Sequence, residues 1–195
     1  MFEYELTLRA CMESDTERIA LGLRRKDVAV LETLVGQYQY RLVRYLVFLL
    51  GRRDGVDDLV QETWLRVLER GDTYDGRYRF EPWLFRVARN IALDAMRKRP
   101  MFSLDSNEED GVRSSPASGE PSPYTLAART QDAERLAHSL QTLEPVCREA
   151  LVLRFQEDLS LQEISGIVGA PVSTVASRIY RGMATLRPQF GGETA

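Results

Sequence analysis

Apolar side chains recur every three or four residues along the segment from Asp27 to Leu50. This spacing is the mark of an α-helix with one buried stripe, which other elements must cover. Gly51 is typical of the end of such a helix. The stripe comprises Val28, Leu31, Leu34, Tyr38, Leu42, Tyr45 and Leu49. Because no strand-like alternation stands out elsewhere in the chain, the sequence predicts an all-α fold.

Two further helices are predicted before residue 100. Asp57 and Asp58 favour the positive end of the first helix, which ends at Gly71, and Pro82 suits the first turn of the second. The predicted inner stripes are Val60, Trp64, Val67 and Leu68 in the first helix, and Leu84, Val87, Ala88, Ile91 and Ala95 in the second. At about 100° per residue, the second helix has an opposite face that is polar and cationic, formed by Arg86, Asn90 and Arg97 with Arg89 beside it.

A change of composition divides the chain. Residues 100–122 are rich in Ser, Pro, Gly, Asn and acids, which is typical of a flexible linker. The predicted parts are an N-terminal extension (1–25), a helical domain (26–99), a flexible acidic linker (100–130) and a second helical domain (131–190). A capping pattern predicts a short helix from about residue 15, and the second domain is predicted to begin with helices over 131–142 and 145–155. We therefore expect two small helical domains joined by a flexible linker.

The second domain is predicted to contain a helix-turn-helix. Ser160 and Glu163 form a capping box, residues 169–171 break the chain, and Ser173 caps a last helix that Pro188 ends. On that helix the predicted buried stripe is Val175, Ile179, Met183 and Leu186, which leaves an outer face of Ser173, Ser177, Tyr180, Arg181 and Ala184. Small residues with an Arg and a Tyr suit the major groove of DNA, and the alternative is a solvated face on an ordinary helical hairpin.

The distribution of charge leaves nucleic-acid binding open. The net charge of −3 argues on its own against such binding, because DNA-binding domains usually carry a basic surface. However, residues 71–100 carry seven Lys or Arg against four Asp or Glu, and residues 172–190 carry three Arg and no acid. These two local basic surfaces can attract phosphate.

The loop from Asp72 to Glu81 alternates aromatic and cationic residues. Such alternation suits unstacked bases, because aromatic rings stack on the bases and arginines neutralise phosphate. The alternative is that Phe80 and Trp83 fill the core, which we expect for Trp83 because large aromatic residues are usually buried. The alternating residues are Tyr74, Arg77, Tyr78, Arg79 and Phe80.

The acidic side chains that follow Gly55 lie off the buried stripe of their helix. Asp57, Asp58 and Glu62 could bind a metal ion as in all-helical phosphohydrolases, but the sequence lacks a second carboxylate cluster at matching spacing. This face can instead dock a basic partner helix or lie in water, and the residues alone leave these two interpretations open.

The sequence gives no indication of a cofactor, a metal site or a membrane-spanning segment. Cys11 and Cys147 lie far apart without metal-ligand spacing, and His138 has no activated Ser or Cys pattern near it. No apolar run approaches the roughly 20 residues that cross a bilayer. We therefore expect a cytoplasmic protein that is not an enzyme, with no cofactor, no metal site and no membrane insertion.

Three long motifs together resemble the bacterial RNA polymerase sigma factors of the extracytoplasmic-function type. They occur in family order and read DDLVQETWLRVLE, YDGRYRFEPWLFRVARNIALDAMRKR and LSLQEISGIVGAPVSTVASRIYRGMATLR. The resemblance implies a factor that binds core RNA polymerase, recognises the minus-ten and minus-thirty-five promoter elements and assists promoter melting. The alternative function is a conventional helix-turn-helix repressor or activator that acts without polymerase docking, and a metal-dependent hydrolase ranks third.

The resemblance also assigns residues to three surfaces. Docking onto the beta-prime clamp helices of the polymerase falls to Asp57, Asp58, Gln61, Glu62 and Leu65. The residues assigned to the capture of a flipped base of the minus-ten element are Thr73, Tyr74 and Gly76. The other residues assigned to this element are Arg77, Arg86, Arg89, Asn90 and Arg97. The minus-thirty-five element is assigned Ser173, Thr174, Ala176, Ser177, Arg178, Tyr180 and Arg181, with Ala176 standing where many relatives have Arg. The implied partners are core polymerase through its beta-prime and beta subunits, promoter DNA and an anti-sigma factor.

Overall fold

The computed structural model describes residues 15–98, the N-terminal unit, and residues 138–190, the C-terminal unit. Within these two ranges the chain forms helices and no strand, which confirms the all-α prediction. The predicted linker at 100–130 and Cys11 lie outside the described residues. The helix predicted over 131–142 is described only at 138–141, which are helical. The helices are α1 (residues 15–25), α2 (Val28–Leu50), α3 (Val56–Arg70), α4 (Phe80–Lys98), α5 (Pro145–Leu151), α6 (Leu161–Val168) and α7 (Val172–Phe190).

Helix α2 supplies much of the core of the N-terminal unit. The Asp27 carboxylate accepts a hydrogen bond from the Ala29 N–H at 2.9 Å, and Gly51, at φ 69°, ends the helix as predicted. Val28 is 65% exposed and the prediction of its burial was wrong, because it lies in the first turn while Val30 faces α1. The buried members of the predicted stripe are Leu34, Tyr38, Leu42 and Tyr45.

Helix α1 packs onto the rest of the N-terminal unit. Ala20 and Leu23 are buried in the same hydrophobic core as residues of α2, α3 and α4. Gly71 is buried where a Cβ would lie 2.9 Å from the Cβ of Leu23, so the chain after α3 passes directly against α1. Residues 15–25 of the predicted extension thus share a core with the predicted domain, and the boundary at residue 26 stays a prediction.

Helix α3 buries a stripe slightly different from the predicted one. Val60 and Val67 are buried as predicted, whereas Leu68 is 39% exposed. Thr63, which is not part of the predicted stripe, is buried, and the Thr63 hydroxyl donates to the Leu59 carbonyl at 2.7 Å. This bond satisfies the hydroxyl within the helix, which is why a polar residue can lie in the core here.

Helix α4 is rotated relative to the prediction. Its buried residues are Phe80, Leu84, Phe85, Ala88 and Ala92. Val87, Ile91 and Ala95, predicted as core, are only half-buried and line an open groove towards α3. The reason is that α4 contacts α2 and α3 of its own unit and also α6 of the C-terminal unit. A helix that packs against both units buries two faces, so a single stripe of apolar residues does not describe its buried surface.

The C-terminal unit contains the predicted helix-turn-helix. Helix α5 continues through one wider turn, Val152–Gln156, so helical structure extends to the predicted end near residue 155. At α6 the Ser160 Oγ accepts from the Glu163 N–H at 3.2 Å, and the Glu163 carboxylate accepts from the Ser160 N–H at 2.7 Å. Gly169, at φ 67°, ends α6 before the turn into α7.

Helix α7 is longer than predicted at both ends. It begins at Val172, so Ser173 lies inside the helix and is not its cap. It also runs through Pro188 to Phe190, where the sequence predicts an end. Proline keeps a helical φ and removes one hydrogen bond, and Pro188 is exposed, so water can satisfy the carbonyl that loses its partner.

The buried side of α7 also differs from the prediction. Val175 and Leu186 are buried and Ile179 is partly buried as predicted, but Met183 is 45% exposed. Gly182 is buried instead, at a point where a Cβ would lie 2.7 Å from the Leu151 Cδ1. Since glycine has no side chain, α7 approaches α5 more closely than a methionine in that position would allow.

The two units pack against each other. Helix α4 contacts α6 and helix α2 contacts α5, so that one hydrophobic cluster includes buried residues of both units. The two predicted domains are therefore in direct contact in this structure.

Two matched glycine substitutions test the packing of α1 on α2. In Gly22→Ala the new Cβ would lie 2.6–2.8 Å from three atoms of the stiff Val30 side chain, whereas Gly36 in α2 has nothing within 4 Å. We expect Gly22→Ala to lower the free energy of unfolding by about 1–3 kcal/mol through overpacking. Gly36→Ala should raise it by roughly 0.5–1 kcal/mol through helix propensity. Urea denaturation measures both, and equal shifts would contradict the described packing.

Candidate nucleic-acid and polymerase interfaces

The loop between α3 and α4 is built on buried aromatic residues. Tyr74 is 2% exposed, and its ring lies edge-on to Phe80 with 5.3 Å between centroids. The Tyr74 hydroxyl donates to the Tyr78 carbonyl. Burial raises the pKa of Tyr74, so the hydroxyl stays protonated. The short loop folds both rings into the core, so Tyr74 does not present its ring face to a base in this structure. For Phe80 this is the core role that the sequence left open as the alternative.

Gly76 lies beneath α1 rather than in an open pocket. At φ 76° it adopts a backbone conformation that favours glycine. A Cβ there would lie 3.0 Å from the Ala20 Cβ and 3.1 Å from the Thr16 carbonyl oxygen. Its buried position shapes the loop, so any contribution to base capture is through the conformation of the residues on either side.

Tyr78 is the aromatic residue of the loop that is available to a ligand. It is 77% exposed, and the neighbouring Arg77 side chain is 81% exposed. Sequence reasoning included Tyr78 in the aromatic alternation but did not select it as a site residue. No sequence signal distinguishes it, because a two-residue period would bury Tyr78 together with Tyr74, Gly76 and Phe80, and only the fold of the loop leaves Tyr78 exposed. Thr73 is also exposed, and its hydroxyl donates to the Arg70 carbonyl at 2.7 Å.

The cationic face of α4 is only partly free. Arg86, Asn90 and Arg97 are exposed as predicted, and Arg97 contacts Asp94 at 3.4 Å. The Arg89 side chain is only 17% exposed, and its Nε donates to the Glu149 carboxylate of α5 at 2.7 Å. In this arrangement the Arg89 side chain is bound to the C-terminal unit.

A groove of about 500 Å³ runs between α3 and α4. Its apolar floor includes Leu59 and the half-buried α4 residues described above, and Trp83 lies at one end. Trp83 is half-buried and stacks at 5.6 Å from Phe80, which agrees in part with the predicted core role. The charged and polar rim consists of Glu62, Arg66, Arg70, Thr73, Arg86, Asn90, Asp94 and Lys98. The groove therefore joins the predicted polymerase face to the predicted minus-ten face.

The acidic face of α3 is fully accessible. All five residues assigned to polymerase docking are exposed: Asp57, Asp58, Gln61, Glu62 and Leu65. Leu65 is 54% exposed within this polar surface, and Glu62 contacts Arg66 at 3.0 Å. An exposed leucine flanked by carboxylates suits a basic protein surface with an apolar centre.

The outer face of α7 is open to solvent. Ser173, Ser177, Tyr180 and Arg181 are exposed, whereas Thr174, Ala176 and Arg178 are half-buried. Tyr180 is 75% exposed. The Arg181 guanidinium lies 3.5 Å from the Glu144 carboxylate, and this exposed pair holds it beside the start of α5.

Residues 15–98 and 138–190 contain no group of three His, Cys, Asp or Glu side chains that could hold a metal ion. None of their helices is long and apolar enough to span a bilayer.

Both units match models of one protein family. Residues 34–100 match sigma-70 region 2, and residues 133–186 match sigma-70 region 4. These ranges contain the loop, the cationic face of α4, the acidic face of α3 and the helix-turn-helix. The matches thus define a protein class with two DNA-facing units.

Individual relatives agree with this class. The chain is 31% identical over 160 residues to the RNA polymerase sigma factor CarQ of Myxococcus xanthus, covering 82% of this chain and 88% of that protein. It is 35% identical over 156 residues to the extracytoplasmic-function (ECF) sigma factor SigE of Mycolicibacterium smegmatis, covering 80% of this chain and 60% of that longer protein. The fold is similar to that of the Bartonella quintana sigma factor RpoE solved with the anti-sigma factor NepR, with a TM-score of 0.63, 23% identity, and 84% and 98% of the two chains covered.

The chain belongs to the sigma-70 family as an RNA polymerase sigma factor of the extracytoplasmic-function type. Factors of this family bind core RNA polymerase and direct it to promoter DNA. The comparisons give no support to a conventional helix-turn-helix repressor or activator.

Replacement of Tyr78 tests the corrected description of the loop. If Tyr78 stacks on an unpaired base, Tyr78→Ala should cost about 1–3 kcal/mol of binding to single-stranded minus-ten DNA. Fluorescence anisotropy of a labelled oligonucleotide measures this loss. Tyr40→Ala is the control, because Tyr40 is 48% exposed on α2 and outside the loop. Equal losses in the two variants would contradict the role of Tyr78.

Proposed function

We propose that this sigma factor binds core polymerase through the acidic face of α3 and reads the two promoter elements with α4 and α7. The observation that carries the proposal is that each of the three faces, which lie on separate elements of one chain, presents exposed side chains. The protein itself supplies binding and orientation and catalyses no reaction. It acts in the cytoplasm, where the polymerase meets the chromosome.

The polymerase surface centres on Leu65. The five exposed residues of α3 suit the beta-prime clamp helices if those helices present basic side chains around an apolar contact, because carboxylates steer a cationic partner and a buried leucine then contributes affinity. The C-terminal unit makes a second contact, with the beta subunit. This division lets one protein position two DNA-reading faces on the enzyme.

The minus-ten element is read by the loop and by α4. The Tyr78 ring and the Arg77 guanidinium supply stacking and phosphate neutralisation, and Thr73 adds a hydroxyl beside the groove. Arg86 and Asn90 lie on the rim of that groove, where an extruded base can meet side-chain donors and acceptors. Tyr74 and Gly76 contribute by fixing the conformation of the loop. Arg97 contacts the DNA backbone, and Arg89 joins this surface when its bond to the C-terminal unit is released.

The minus-thirty-five element is read by α7 in the major groove. Arg181 contacts a base edge, and Tyr180 and Ser177 contact neighbouring bases or phosphates. Thr174 and Arg178 lie towards the backbone, with Ser173 at the start of the helix. Ala176 offers only a methyl group, so base preference at that step is looser than in relatives with Arg.

A protein inhibitor is the expected regulatory partner. The Bartonella quintana sigma factor of similar fold was solved with its anti-sigma factor. We extend this to the present chain as a proposal: an anti-sigma factor binds it and prevents its association with polymerase.

The primary test is transcription with core polymerase, with the 5′ ends of the transcripts sequenced. We expect starts at a defined set of promoters, and Leu65→Ala should weaken binding to core polymerase by about 1–2 kcal/mol. Leu21→Ala is the matched control, since Leu21 is a similarly exposed leucine, at 47%, on α1. No specific starts, together with tight binding of the protein alone to duplex DNA, would favour a conventional repressor or activator.

Arg181→Ala tests the minus-thirty-five assignment. Loss of a bidentate base contact should reduce promoter affinity by about 1–3 kcal/mol and relax the preference at one position. Arg187→Ala removes the same charge from an exposed position near the end of α7. Binding to a library of minus-thirty-five sequences distinguishes the two variants. A loss that is uniform over all sequences would mean that Arg181 contacts only phosphate.

A further inference from the structure

Two carboxylates of the C-terminal unit are buried against arginines of the N-terminal unit. The Glu157 side chain is 0% exposed, and its oxygens accept from the Arg41 Nε at 2.7 Å and from the Arg44 Nη2 at 3.2 Å. Glu149 accepts from the Arg89 Nε at 2.7 Å. These contacts join α5 and the turn after it to α2 and α4.

Tyr45 completes the environment of Glu149. Its hydroxyl donates to the Glu149 carboxylate at 2.9 Å, inside the shared core. Burial and the neighbouring Glu149 charge raise the pKa of Tyr45, so the hydroxyl remains a donor. Both buried carboxylates thus have partners, which is the condition under which buried charge is tolerated.

Arg148 adds a contact of a different kind. It is buried, and among the described residues its guanidinium donates only to carbonyl oxygens. One of these is the Phe48 carbonyl in the last turn of α2, at 3.2 Å. A cation at the negative end of a helix is favourable, so this contact also holds the C-terminal unit against α2.

The same contacts remove a DNA-binding group. The Arg89 Nε and Nη2 both donate to the Glu149 carboxylate, and the side chain is only 17% exposed, so little of this guanidinium is left for a phosphate or a base edge. Arg89 lies on the cationic face of α4, yet its Nε is bound to Glu149. Glu149 therefore competes with promoter DNA for Arg89.

When the two units are packed together, which we call the packed arrangement, the protein is also too small to reach both promoter elements. Their positions differ by about 25 base pairs, or roughly 85 Å of duplex at about 3.4 Å per base pair. A compact body of the described residues is roughly 40 Å across. Residues 99–137 join the units, and a chain of that length can span roughly 130 Å when extended. The units must therefore separate to read a promoter, and the covalent connection permits it.

The polymerase face remains accessible in the packed arrangement. All five docking residues of α3 are exposed while Arg89 is covered. Polymerase can thus bind the packed chain first, and separation of the units can follow.

From these contacts we infer that Glu149 and Glu157 hold the free sigma factor in an autoinhibited state, in which the C-terminal unit occupies arginines of the N-terminal unit until polymerase and promoter separate them. The inference rests on the proposed promoter function, because inhibition is defined by the DNA contacts that are lost. The separation itself is independent of that function and can be measured without DNA.

The test compares the full chain with the double variant Glu149→Gln/Glu157→Gln. Small-angle X-ray scattering of the free proteins should give a larger radius of gyration for the variant. Anisotropy with a labelled single strand that carries a mapped minus-ten sequence should show about tenfold tighter binding, because more of the free chain is competent to bind. Binding to core polymerase should also tighten, because a partner that separates the units must bind the separated state better. The control is Glu17→Gln/Glu32→Gln, which removes the same charge from exposed positions.

A charge exchange guards against a variant that merely fails to fold. Glu157→Arg places three guanidinium groups together and should expand the chain, whereas Arg44→Glu/Glu157→Arg should return the radius of gyration towards the starting value. Circular dichroism should show the same helix content throughout. An unchanged radius in the double variant, no recovery in the exchange, or expansion without tighter DNA binding would each overturn the inference. Failure of the promoter function would appear separately, as absence of specific starts with the unsubstituted protein.

Discussion

The packing of α4 between two partners determines most of what this chain can expose. Its buried face is shared by α2 and α3 on one side and by α6 on the other. What remains is a cationic edge and one wall of the groove towards α3. A helix that is a core element and, in the proposed function, also reads DNA has few positions free to vary, because most of its residues contact protein or are needed by the nucleic acid.

The arginine contacts to Glu149 and Glu157 explain how two small units can be held together and still be separable. Burying an ion pair contributes little net stability, because desolvation offsets most of the attraction. Such contacts nevertheless specify one arrangement, since any other would leave a buried charge without a partner. Charged contacts suit a protein whose partners, polymerase and DNA, are themselves strongly charged.

Sequence periodicity predicted which elements exist more reliably than which faces they bury. The end of α2, the cap of α6 and the helix-turn-helix were predicted because Gly51, Ser160 and Glu163 act on their nearest neighbours. The burial of Val87 and Ile91 was overestimated because a stripe does not reveal how many partners a helix has. The sequence does not distinguish Tyr74 from Tyr78, because both are tyrosines in the same short loop. Only the fold of the loop separates the buried ring from the exposed one.

Arg148 has a consequence for how the two units come together. Its bonds to the carbonyls of Leu140, Gln141 and Leu143 lie within the C-terminal unit, and only the bond to Phe48 crosses to α2. When the units part, the side chain keeps its internal bonds and remains in position. Reassociation then loses little side-chain entropy at this point. The end of α2 therefore meets a guanidinium that is already oriented for the Phe48 carbonyl whenever the two units pack together.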